Sequence, residues 1–154
     1  MVLGIFSLSA FSQTEKPNLY NPMADARKEI SEAVAKAQLE NKHVFIQVGG
    51  NWWPWCIRFH NFVNENETID SLMKADYVFT LLNTSKEKKN LDVLAELDYP
   101  QRFGFPVMVI LDQKGKRIHT QNSAFLEKEK SYDEKVVAQF LKHWSPAAID
   151  PKNY

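Results

Sequence analysis

Val44-Phe45-Ile46-Gln47-Val48-Gly49-Gly50-Asn51-Trp52-Trp53-Pro54-Trp55-Cys56 is the stretch on which the rest of the chain depends. Its first half, with His43 in front, is a short apolar run of β-branched and aromatic residues closed by two glycines, which predicts a buried strand. Pro54 suits the first turn of a helix, where its missing N–H would have had no partner. That helix is expected from about Pro54 to Val63. Cys56 then falls just inside a helix start, in a positive field that favours the thiolate. Strand, turn, helix and thiol make the layout of a thiol redox site. A dithiol centre needs Cys-x-x-Cys, however, and Trp53 stands at the first of those positions.

On the N-terminal side, Asn21-Pro22 reads as an N-cap followed by a proline at the first helical position. Ala26, Ile30, Ala33, Val34 and Ala37 recur at helical spacing, and this helix should end near Asn41. On the C-terminal side, Glu67 to Ala75 predicts a short helix and Tyr77 to Leu82 a second buried strand. Leu91 to Leu97 predicts another short helix. Val107 to Leu111 and Arg117 to Gln121, joined by the turn Asp112 to Gly115, read as a hairpin. Asn122 to Ser131 reads as a polar loop. Asp133 to Trp144 is the last helix, with Val137, Phe140, Leu141 and Trp144 inward and Pro146 as its stop. Helices interleaved with buried strands, closing on a hairpin and a helix, predict an α/β fold with a central mixed sheet covered on both faces.

The 154 residues suffice for one domain with a single sizeable core. Hydrophobic and charged contents of 44% and 25% are those of an ordinary globular chain. Lys+Arg and Asp+Glu are both 19, and this balance argues against a nucleic-acid partner, whose footprint would be a basic excess. No apolar run reaches the roughly 18 residues of a membrane span. Residues 1–12, with an apolar segment and the small-x-small pattern Ala10-Phe11-Ser12, read as the remnant of a secretory signal peptide. A frayed apolar N-terminus is the alternative, since no basic residue precedes the segment. Residues 13–22 read as a linker and 23–154 as the domain. A single cysteine in an exported protein makes no internal disulfide: it is either buried and inert or free to pair with another molecule.

The stretch from Val44 to Cys56, which fits a strand followed by Trp-Cys-x-x-Cys without a gap, resembles the thioredoxin-like fold family. Gly104-Phe105-Pro106-Val107-Met108-Val109-Ile110-Leu111-Asp112 with Gly115 is similar to that family's cis-proline strand and hairpin. The likeness spans roughly Asp25 to Trp144, and its Trp-x-Pro-Trp-Cys flavour is closest to exported, periplasmic relatives from bacteria. The resemblance implies a thiol-disulfide oxidoreductase ancestry with no bound cofactor. It places Cys56 at the resolving thiol and Trp53 at the nucleophile. A tryptophan has no thiolate, so the two-cysteine cycle is expected to be impaired or lost. The position of the family's buried acid holds Gln47, which takes no proton in the working pH range.

Two uses of the site follow from the resemblance. Cys56 could act alone as a monothiol, forming a mixed disulfide with a protein or peptide. His60, four residues on and on the same helix face, is its possible base or charge partner; the alternative for His60 is an ordinary helix residue. A Cys56/His60 metal site has too few ligands. The other use is redox-inactive binding of an extended segment, with Trp52, Pro54, Trp55, Phe105 and Pro106 as its surface and the backbone before Pro106 as its pairing edge. Trp52 is also expected to support the turn. His43, His119 and His143 are scattered, and Lys86-Glu87-Lys88-Lys89 reads as a solvated loop of mixed sign. No stable membrane insertion after export is expected.

Overall fold

The computed structural model describes residues 17–154. The expected signal-peptide remnant and residues 13–16 of the expected linker lie outside them. Strand β1 (His43–Gly49) is central. It pairs in parallel with β2 (Tyr77–Asn83) on one side and antiparallel with β3 (Val107–Leu111) on the other; β3 pairs antiparallel with β4 (Arg117–Asn122). The sheet order is β2-β1-β3-β4, so the mixed sheet expected from the alternation of elements is present.

The pleat sorts the core into two halves, because successive side chains of a strand point to opposite faces. Val44, Ile46 and Val48 of β1 join Val107, Val109 and Leu111 of β3 on one face. Helix α1 (Ala26–Glu40) brings Ala33 and Ala37 to them, and α4 (Leu91–Glu96) brings Val93 and Leu94. Phe45, Met108 and Ile110 point the other way. There they meet Phe59 of α2 (Pro54–Glu65), Ile69 and Met73 of α3 (Glu67–Asp76), and Val137, Phe140 and Leu141 of α5 (Glu134–His143). All seven residues of β1 are buried, as a strand covered on both faces requires.

Three local expectations are corrected. Helix α1 starts at Ala26, not at Pro22. Asp25 is its N-cap, its carboxylate accepting from the Lys28 N–H at 3.1 Å. Asn21-Pro22 opens a turn instead: the Asn21 side chain accepts from the Met23 N–H at 2.9 Å, and its carbonyl accepts from the Ala24 N–H at 3.2 Å. The end near Asn41 stands, with Asn41 left-handed at φ 54°. Second, the C-terminal part of the expected linker is not a free tether. Tyr20 is fully buried, and its backbone is clamped by Asn51: Tyr20 N–H to Oδ1 at 2.8 Å, Nδ2 to the Tyr20 carbonyl at 2.7 Å. Third, the expected loop Asn122 to Ser131 holds a 3₁₀ turn at Ser123–Leu126 and a two-stranded ribbon, β5 (Glu127–Lys128) with β6 (Ser131–Tyr132). Leu126 and Tyr132 anchor it in the core under α2.

Candidate functional site

The site is built where β1 ends and α2 begins. Gly49 and Gly50 are small there because their neighbours leave no room. A Cβ on Gly49 would stand 2.3 Å from Cys56 Sγ and 3.0 Å from the Tyr20 hydroxyl, and one on Gly50 would stand 2.4 Å from Trp52 Nε1. Trp53 is the N-cap of α2, in extended conformation and without a side-chain cap, and Pro54 takes the first helical position as expected. The Cys56 N–H closes the turn on the Trp53 carbonyl at 3.1 Å.

Cys56 is fully buried and unpaired. The Gly50 backbone N–H and the Tyr20 hydroxyl face its sulfur and favour the thiolate. Burial outweighs both and pushes the thiol pKa above its ordinary value. Beneath it, the buried Gln47 Nε2 donates to the Tyr20 hydroxyl at 2.8 Å and to the Cys56 carbonyl at 2.9 Å. Tyr20 thus accepts from Gln47 and keeps its own proton for the sulfur. Its phenol is itself pushed well above the ordinary value, first by burial and then by Cys56. Gln47 Oε1 is buried without a partner among the described residues.

The aromatic side of the turn has a different construction. The Trp52 indole N–H donates to the Thr84 carbonyl at 2.9 Å, so Trp52 does brace the turn, yet its ring remains 52% exposed. The Trp53 indole N–H donates to the Phe105 carbonyl at 2.7 Å, and its ring is 40% exposed. Trp52 meets Phe105 edge-on at 5.4 Å and Trp53 at 5.9 Å, and the Phe105–Pro106 peptide bond is cis. The carbonyl of the backbone edge expected to pair with an extended segment therefore already accepts one hydrogen bond, from the chain's own Trp53. Exposed Tyr99 and Phe103, on and before the 3₁₀ turn Pro100–Phe103, lie close by in sequence.

Two expected members of the site lie elsewhere. Trp55 is half-buried on the opposite side of α2, edge-on to Tyr132 at 5.5 Å, with the Arg58 guanidinium 4.8 Å over its ring. A helix turns by about 100° per residue, so Trp53 and Trp55 cannot share one surface. The ring of His60 packs on Phe79 at 5.9 Å, and burial lowers its pKa. The groups facing the Cys56 thiol are Tyr20 and Gly50, not His60. Two residues to which the sequence reading gave no role, Tyr20 and Asn51, hold the buried side together. Their only sequence signal was an aromatic residue in a polar segment and an asparagine between glycines and tryptophans. Among the described residues no group of three or more His, Cys, Asp or Glu side chains is placed to hold a metal. His43 is structural: its Nδ1 lies 2.7 Å from the Trp144 carbonyl.

A family profile described as a thioredoxin-like domain matches residues 30–133. The chain belongs to the thioredoxin-like domain family. A disulphide isomerase from Xylella fastidiosa Temecula1 superposes with a TM-score of 0.71 at 19% identity, over 80% of this chain and 94% of that one. A thioredoxin from Thermus thermophilus superposes with a TM-score of 0.51 at 20% identity, over 80% and 85%. At these identities the likeness is one of fold. Among curated proteins, the ribosome maturation factor RimP of Prochlorococcus marinus (strain MIT 9515) is 35% identical over 77 residues. That stretch is 50% of this chain and 48% of that protein, so the chain spans about half the length of the curated relative it matches. A thioredoxin-like domain with one cysteine, and that one buried, is what the comparisons and the geometry establish together.

Proposed function

We propose that this thioredoxin-like domain has left the two-cysteine cycle and works as a non-covalent binding module for an extended protein or peptide segment in an exported, periplasmic compartment. One observation carries the reading: the attacking-thiol position is filled by Trp53, whose indole is bonded to the Phe105 carbonyl, while Cys56 is fully buried. Disulfide exchange begins with an exposed thiolate attacking a disulfide sulfur. Here the position that should attack has no sulfur, and the thiol that remains is held protonated by burial. What faces solvent is an aromatic ledge of Trp52, Trp53 and half-buried Phe105, the kind of surface that marks a contact site. The compartment rests on the apolar N-terminal segment.

The thiol-exchange reading has one observation in its favour: the Gly50 N–H and the Tyr20 hydroxyl both favour a Cys56 thiolate. A capture assay separates the two readings. Partner or peptide retention on immobilised domain is expected to survive Cys56→Ser and a reductant wash, to fall on Trp52→Ala, and to occur in a chain that does not catalyse insulin reduction. Retention that needs Cys56 and is released by the reductant would overturn the binding-module reading and restore the monothiol one.

A further inference from the structure

The Phe105 carbonyl already accepts from Trp53, and open space also lies beside Trp52. A groove of about 540 Å³ runs there between the Trp52 ring and the loop Thr84, Ser85, Lys86, Glu87 and Lys89. Both walls are held in place. Trp52 is pinned through its indole N–H to the Thr84 carbonyl, and the Thr84 N–H is pinned to the Gly49 carbonyl at 2.7 Å. The loop is braced from within: Ser85 N–H to the Lys88 carbonyl at 3.0 Å, and Asn83 Nδ2 to that carbonyl and to Ser85 Oγ, both at 3.1 Å. Lys88 is turned away, its ammonium donating to the Ala24 carbonyl at 2.8 Å.

The charges of the loop are unequal in their freedom. Glu87 is turned onto Ser85, a hydrogen bond that holds its carboxyl below the usual range. Lys86 and Lys89 make no ion pair among the described residues, and neither covers the Trp52 face by a cation–π contact. The exposed Trp52 face is thus flanked by two lysines that have no ion-pair partner among the described residues, with the Glu87 carboxylate acting on Lys86 from within the loop. A pre-formed groove of this kind costs little ordering on binding, and its charge selects a partner of opposite sign.

We propose that this groove takes an acidic extended segment, seating an apolar side chain against Trp52 and its carboxylates against Lys86 and Lys89. The proposal rests on the binding-module reading and adds the partner's chemistry to it. It also separates recognition from the Phe105 edge, since a segment in the groove need not displace the Trp53 indole.

The probe is a short synthetic peptide of alternating glutamate and leucine, compared with its lysine–leucine and glutamine–leucine counterparts by calorimetry. The acidic peptide is expected to bind at least about tenfold more tightly than either counterpart, and more weakly as salt rises. Lys86→Glu with Lys89→Glu should abolish the preference. Both lysines lie on an exposed loop, so the circular dichroism spectrum of the charge-reversed variant reports whether the fold is kept. Equal binding of all three peptides would overturn the acidic preference and leave the binding module standing. No binding of any peptide would overturn both.

Discussion

The two sides of one turn follow opposite rules. Behind the turn, Tyr20, Gln47 and Cys56 are fully buried and bonded to one another, with only Gln47 Oε1 left without a partner among the described residues. In front of it, Trp52 and Trp53 spend only their indole N–H groups, on the Thr84 and Phe105 carbonyls, and leave their rings in solvent. A buried polar group without a partner is costly, so the inner side is tied together by hydrogen bonds. The outer side satisfies its few polar atoms and leaves apolar area exposed. A thiol exchanger needs the reverse, with sulfur in front and packing behind. In this chain an indole stands in front and the one cysteine lies behind it.

The largest expected effect comes from putting sulfur back in front. Trp53→Cys should raise insulin-disulfide reduction from background to at least about tenfold above it, because an exposed thiol at a helix start then has Cys56 behind it as resolving partner. No gain would mean that the inner side, with Gln47 in place of an acid, has also lost its part in the chemistry. Next in size is Gly49→Ala, which drives a methyl to within 2.3 Å of Cys56 Sγ where nothing can yield outward. A loss of roughly 2 kcal/mol or more is expected in urea denaturation, partly recovered by Cys56→Ala in the same chain. A loss below about 0.5 kcal/mol would break the picture of a closed inner side.

The smallest effect is a slope. The folded thiol titrates above the ordinary cysteine value. The stability it contributes is therefore full below the unfolded pKa of about 8.5 and is lost as pH rises through the folded value. Tyr20, Tyr77 and Tyr132 are raised too, by burial first, and add their own loss above the ordinary phenol pKa near 10. Cys56→Ala should flatten the stability profile between about pH 8.5 and 10 and leave the steeper fall above it. An unchanged slope would mean that Cys56 is in contact with water.

Much of the frame was legible along the chain. The run His43 to Val48 closed by two glycines, the proline at the head of α2 and the hairpin around Asp112 to Gly115 are local signals, and each element formed where its signal stood. The start of α1 was misplaced because Asn21-Pro22 and Asp25 both offer caps. Asn21 is spent on a turn next to the Tyr20–Asn51 clamp, and Asp25 caps the helix. The separation of Trp55 from Trp53 was hidden for a similar reason. Adjacent tryptophans look equivalent in sequence, but the helical twist sends one towards Phe105 and the other under the ribbon at Tyr132.

By itself the sequence determined the α/β alternation, the thioredoxin-like turn and the absence of a second cysteine, because periodicity, turn chemistry and residue counts are properties of neighbours along the chain. The long-range pairings come from the tertiary structure alone: Cys56 faces Tyr20 and not His60, Trp53 donates to the Phe105 carbonyl, and a groove lies between Trp52 and the lysine loop. Those pairings join residues about 30 to 50 positions apart, and they depend on which face of a strand or helix each side chain leaves from.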